Sequence, residues 1–216
     1  MDRNRGLIKA LLDREGHTYA QEVGITLADR PAPLYQLLVL TTLLSTRIRA
    51  SVAMAAAREL FAAGYRTPQA MVASSWQDRV DALGRGHYRR YDERTATMLG
   101  KGTQMCLERW QGDLRRLHRE GNGDRAKLRK LLTDFPGIGP TGADIFLREV
   151  QVVWPDLRPY ADRRVASGAE RVRLPTSADQ LARLAGGNDF PRLASALVRV
   201  SLDQKLADQV VSAARS

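Results

Sequence analysis

The chain has 216 residues, 44% hydrophobic and 27% charged, enough apolar material for one large domain or two small lobes; wholesale disorder is excluded. Lys and Arg total 34 against 24 Asp and Glu, a formal charge of +10, so the expected partner is a polyanion, most commonly nucleic acid. A single cysteine, Cys106, excludes both a disulfide framework and a cysteine-rich metal site.

The first sixteen residues are polar and charged and lack the apolar run and small-residue cleavage site of a signal peptide. The longest apolar stretch, 33–44, is broken by Tyr35, Gln36, Thr41 and Thr42 and is too short to span a bilayer. The expectation is a soluble cytoplasmic protein, in a bacterial-type cytosol or nucleoid, with no membrane partner. Residues 34–44 carry an apolar face too broad for a surface helix, which predicts a buried central helix. An alanine-rich helix over 51–63 ends at Gly64. Thr67 and Pro68 restart a helix as cap and first residue, running to 73. A short helix over 78–83 closes at Gly84, and a long one over 93–110 is weakened at Gly100 and Gly102. After the loop 120–123 come helices over 124–135 and 141–153, then a proline-punctuated loop over 154–160. Helices over 162–169, 177–185, 191–200 and 202–214 complete the chain. No alternating apolar stretch, low-complexity segment or repeat period is present, so the fold class is all-α.

The most informative segment is Phe135-Pro136-Gly137-Ile138-Gly139-Pro140-Thr141-Gly142-Ala143-Asp144. An amphipathic helix runs into Pro136, a Gly-Ile-Gly turn follows, and Pro140 opens the next helix at its preferred first position. Glycines two apart leave backbone N–H groups uncovered at a helix N-terminus, where they suit a phosphate oxygen. Ile138, between them, is expected to turn inward as an anchor. The same residues would also serve as an ordinary helix connection, with Gly and Pro as punctuation only.

This hairpin resembles the helix-hairpin-helix of the endonuclease III superfamily of DNA glycosylases, as does the loop Trp154-Pro155-Asp156-Leu157-Arg158-Pro159-Tyr160-Ala161 followed by Asp162. Upstream, the stretch from Pro33-Leu34-Tyr35 to Ser45-Thr46-Arg47 is similar to the family helix that leads to its DNA-inserting loop. Segments 91–96 and 110–113 also fall where similar family segments lie, so the likeness covers about 34–200. It implies a two-lobed helical glycosylase fold. The central lobe, 49–151, would carry the hairpin at about 124–153; residues 1–48 and 152–216 would form the second.

Three departures refine what the resemblance implies. Bifunctional members carry a lysine two residues after the second hairpin glycine, and it attacks the sugar; Thr141 stands there and has no amine. The family's C-terminal iron–sulfur cluster needs four cysteines, and none follows Cys106. Arg47 stands where members often place a glutamine-like wedge that fills the gap left by a flipped base. The implied function is a monofunctional base-excision-repair glycosylase acting on duplex DNA, as a monomer, without an iron–sulfur cluster or catalytic metal. A structural monovalent cation at the hairpin is allowed by the analogy.

Asp162 carries the implied chemistry. Breaking an N-glycosidic bond develops positive charge on the sugar, which a nearby carboxylate stabilises while it orients or deprotonates a water. Asp162 also suits the N-cap of the helix beginning Arg163-Arg164, an ordinary structural duty. The expected DNA contacts are Gly137, Gly139, Thr141, Gly142, Arg47 and Arg163, with His87, Arg89 and Arg90 from a basic run interleaved with aromatics. Arg47 and that run also read as solvated surface. His17, His87 and His118 are scattered without metal-ligand spacing, and Trp76, Trp110 and Trp154 are expected to be core or lobe-packing residues. Two other readings stay open: a DNA-binding protein of this scaffold without catalysis, and a lyase using Lys127 or Lys130.

Overall fold

A computed structural model of the chain describes residues 3–214. Among the described residues every regular element is helical, so the all-α reading holds. The chain forms two compact units. One takes the chain up to Tyr19 and again from Trp154 onward; the other is Ala20–Val153.

The Ala20–Val153 unit is built around α3 (Pro31–Leu44); α1 (Arg3–Glu15) and α2 (Tyr19–Glu22) precede it in the chain. From Leu34 to Leu43 every residue of α3 except Gln36 is buried. Packed on α3 are α4 (Ala50–Ala62), α7 (Asp92–Trp110), α8 (Leu114–Gly121) and α10 (Pro140–Val150). Ahead of α7 come α5 (Pro68–Ala73), capped by Thr67, and α6 (Trp76–Arg85), opened by a Ser75/Asp78 capping box. That box starts α6 two residues before the expected position, and Gly84 lies inside the helix rather than closing it.

Neither Gly100 nor Gly102 interrupts α7. Gly100 makes room for a buried cation: a Cβ there would lie 3.0 Å from Arg79 Nη2. The Arg79 guanidinium donates to the carbonyls of Ala96 (3.1 Å), Met71 (3.3 Å) and Ser74 (2.8 Å), tying α5, α6 and α7 together. A mid-helix glycine costs roughly 1 kcal/mol relative to alanine. Leaving a buried guanidinium without partners would cost more.

In the other unit α13 (Phe190–Leu202) is the hub, buried along most of its length. Around it pack α1, α11 (Arg163–Arg171), α12 (Ala178–Ala185) and α14 (Gln204–Ala213). Gly168 lets α11 close onto α13, since any Cβ there would overlap the Leu197 carbonyl.

Three differences from the sequence reading have plain causes. Residues 20–48 sit with the central unit rather than with the termini, because α3 is that unit's core. Helix α1, on a stretch read only as polar, forms through Leu7, Ile8 and Leu11, and α8 forms behind its Asp113 cap through Leu114 and Leu117. Trp76 is 41% exposed, with its indole N–H donating to Thr97 Oγ1 at 3.1 Å, whereas Trp110 and Trp154 are buried as expected. No helix of the described residues is long and apolar enough to cross a membrane.

Candidate nucleic-acid interface

The hairpin joins α9 (Arg125–Thr133) to α10. At the start of α9 the Asp124 carboxylate accepts from the N–H groups of Ala126 (2.8 Å) and Lys127 (3.1 Å). A paired contact from Arg129 to Asp144, at 2.8 and 3.2 Å, clamps α9 to α10. Phe135 is buried and stacks on Trp110 with centroids 5.3 Å apart, and Ile138 is buried as the inward anchor expected of it. The turn is thus fixed from within by two apolar side chains and one ion pair.

Its three glycines answer to different demands. Gly137 has φ +88°, which favours glycine, and a Cβ there would lie 2.6 Å from Met98 Sδ, so that side chain would have to shift. Gly142 is buried, and a Cβ on it would overlap Ser45 Oγ. Gly139 is different. Its φ of −89° and ψ of −172° suit any residue, and a Cβ there would meet nothing within 4 Å. Gly139 caps α10 without a side-chain hydrogen bond, Pro140 follows in the first turn, and Thr141 is exposed. The start of α10 is therefore a dipole-bearing N-terminus with an open approach.

Ser45, which packs on Gly142, opens the loop 45–49 between α3 and α4. Its hydroxyl donates to Thr41 O at 2.7 Å. Thr46 Oγ1 donates to Leu43 O at 3.0 Å and shares a 2.5 Å hydrogen bond with Tyr88 OH. Arg47 and Arg49 of this loop are exposed.

Tyr88 is completely buried in the segment 87–91 between α6 and α7. Burial holds its phenol above the ordinary tyrosine range against the opposing pull of the Thr46 and Thr95 hydroxyls, so it stays protonated at neutral pH. His87 (φ +61°), Arg89 and Arg90 around it are exposed, and the Arg90 guanidinium lies 5.2 Å from the Tyr91 ring centroid.

The structure thus brings together three segments singled out from sequence: the hairpin, the Arg47 loop and the 87–90 run. Ser45 against Gly142 links the first two, and Thr46 with Tyr88 links the second to the third. Sequence reasoning missed Arg49 and the joining residues Ser45 and Thr46; Tyr88, one of the aromatics interleaved in the basic run, is buried and not open to DNA. Small hydroxyls and one aromatic carry no pattern that marks them as partners across the chain.

Asp162 and Arg163 lie in the other unit. The loop before them contains a single 3-10 turn, Pro155–Leu157, and a cis Arg158–Pro159 bond. Asp162 is half-buried at the N-cap of α11, its Oδ1 accepting from Val165 N at 3.0 Å. Arg163 and Arg164 are exposed on the first turn. The capping duty read from sequence is therefore filled.

The four-cysteine cluster that the family resemblance suggests does not fit this chain. Cys106 is the single cysteine, fully buried in α7, where burial pushes its thiol up to about 12 and disfavours the thiolate that ligation requires. Among the described residues no three His, Cys, Asp or Glu side chains cluster as a metal site.

No family model matches the chain, and no curated protein matches it. Among solved structures it is similar to one described as a trapped endonuclease III–DNA covalent intermediate in an estranged-adenine complex. The two are 16% identical with a TM-score of 0.49, over 90% of this chain and 84% of that one.

Proposed function

We propose that this protein is a DNA-binding enzyme of base-excision repair that hydrolyses the N-glycosidic bond of a damaged or mismatched base. The observation that carries the DNA half is Gly139, which leaves the N-cap of α10 open although neither a positive φ nor an internal contact requires glycine there. The open position admits a group approaching from outside. A phosphate oxygen fits the chemistry: it accepts from the N–H groups at the start of α10 and is drawn by the helix dipole. The exposed Arg47, Arg49, Arg89 and Arg90 on the adjoining segments, on a chain of charge +10, suit the neighbouring phosphates of a duplex.

The catalytic half is assigned to Asp162. Its carboxylate would stabilise the cationic sugar and handle the attacking water, after the target nucleotide has been taken out of the stack. Thr141 offers no amine, and Lys127 and Lys130 are exposed on α9, so the proposed product is an intact abasic site. The proposal includes monomeric action and no iron–sulfur cluster; a monovalent cation on the hairpin carbonyls is compatible with it. A second reading, lesion binding without catalysis, is favoured by the completed cap of Asp162 on Val165 N.

The test is a panel of duplexes bearing uracil or thymine mismatches, alkylated purines and oxidised bases, incubated with the wild-type protein. The proposal expects release of a free base from at least one, strand breakage only after alkali or heat, and no borohydride-trapped adduct. Tight lesion binding with no base released from any duplex would establish the second reading instead, and a trapped adduct would bring back the lysines.

A further inference from the structure

We propose that Tyr88 is a positioning residue whose hydroxyl locks the Arg47 loop and the 87–90 segment into one preorganised DNA-facing surface, an inference that rests on the DNA-binding reading above. The starting point is a hydroxyl where a phenyl ring would fill the same buried space. Tyr88 OH, Thr46 Oγ1 and Leu43 O form a closed set, with distances of 2.5 Å between the hydroxyls, 3.0 Å from Thr46 to the carbonyl and 3.4 Å from Tyr88 to it. Each hydroxyl has one proton, so the arrangement that satisfies both runs from Tyr88 O–H to Thr46 Oγ1, and from Thr46 O–H to Leu43 O. Thr95 Oγ1, at the start of α7, donates to Tyr88 OH at 3.5 Å.

Apart from Ser45 packed against Gly142, the loop's other bonds are local. Ser45 O–H turns back to Thr41 O within α3, Ile48 N–H donates to Thr46 O inside the loop, and Arg49 caps α4 without a side-chain bond. Among the described residues, Thr46 is the loop member whose side chain hydrogen-bonds to a distant part of the sequence. On the other side, Tyr88 is the buried member of a run whose neighbours His87, Arg89 and Arg90 are exposed. One hydrogen bond thus joins two loops that between them present Arg47, Arg49, His87, Arg89 and Arg90. Fixing these loops in the free protein spares the entropy that ordering them on DNA would cost.

The experiment measures anisotropy of a labelled duplex across a salt titration, with melting temperatures and circular dichroism taken on the same samples. The proteins are the wild type, Tyr88→Phe, Thr46→Val, the double variant, Thr46→Ser, and Thr103→Val as a control. Thr103 takes part in a different buried hydroxyl pair, 2.6 Å from Tyr35 OH in the same unit. Tyr88→Phe and Thr46→Val are each expected to weaken binding roughly fivefold, the usual size for one such hydrogen bond. They should lower the salt-dependence slope by roughly one, as for a released phosphate contact. The double variant should be no weaker than either single, and Thr46→Ser should bind like wild type. Thr103→Val should lose stability while keeping affinity and slope. Wild-type affinity and slope in folded Tyr88→Phe would overturn the proposal, as would additive losses in the double variant or the same slope change in Thr103→Val. A wild type that binds no duplex at all would remove the DNA reading and this inference with it.

Discussion

Gly139 and Asp162 hold the same position in their helices, the N-cap, and the contrast between them separates two kinds of functional signal. At α10 the cap residue has no side chain and nothing packed over it. At α11 the cap residue fills a complete structural role, its carboxylate on Val165 N. Gly139 leaves the start of α10 uncovered, with no positive φ and no internal contact that requires a glycine there. Asp162 points nowhere by itself, because an internal duty already explains it. The adjacent α9 is capped by the Asp124 carboxylate, whereas α10, like α3, α4 and α7, opens without a side-chain cap.

The largest expected effect tests whether Asp162 has a second duty. Asp162→Asn keeps the shape and the cap but loses the charge, so base release should fall roughly a hundredfold or more, with lesion binding retained. Asp162→Ala loses both, and its melting temperature should drop by about 2–4 °C, matching ~1 kcal/mol for a lost cap. A fully active Asp162→Asn would leave Asp162 as a cap alone.

The hairpin glycines offer the next test, by exchanging stability for affinity. Gly137→Ala places a Cβ at positive φ and 2.6 Å from Met98 Sδ, and should destabilise the fold by ~1–3 kcal/mol. Gly139→Ala faces open space and should change stability by less than about 0.5 kcal/mol, as for a surface site. Equal losses in thermal melts of the two variants would erase the distinction drawn here.

Much of this architecture was legible before any coordinates. The apolar breadth of 34–44 announced the core helix, and the caps at Thr67 and Asp162 are found in place. The hairpin was legible because its pattern is local: Ile138 inward, Pro140 in the first turn of α10. The reason for each glycine was not legible, since the demand at Gly137 comes from Met98 and at Gly142 from Ser45, both far away in sequence. Helix α1 escaped because only Leu7, Ile8 and Leu11 mark its buried face within a charged segment. The Thr46–Tyr88 bond joins residues forty-two apart and leaves no periodic trace.

A smaller effect separates the buried thiol from ligand chemistry. Cys106 is fully buried in α7 with its thiol pushed up to about 12, so the folded protein should resist alkylation at neutral pH and show no visible iron–sulfur absorbance. Mass spectrometry after iodoacetamide, with and without denaturant, reads the first; iron and sulfide analysis reads the second. Rapid labelling of the native protein, or iron near cluster stoichiometry, would contradict this.

The most direct test of the central claim is the duplex affinity of Gly139→Val beside wild type, by anisotropy over a salt titration. A valine side chain covers the open start of α10 while leaving φ and the internal packing undisturbed. The account predicts a melting temperature close to wild type, at least roughly tenfold weaker binding, and a salt slope lower by about one. A folded Gly139→Val protein with wild-type affinity and slope would take the hairpin out of the DNA interface.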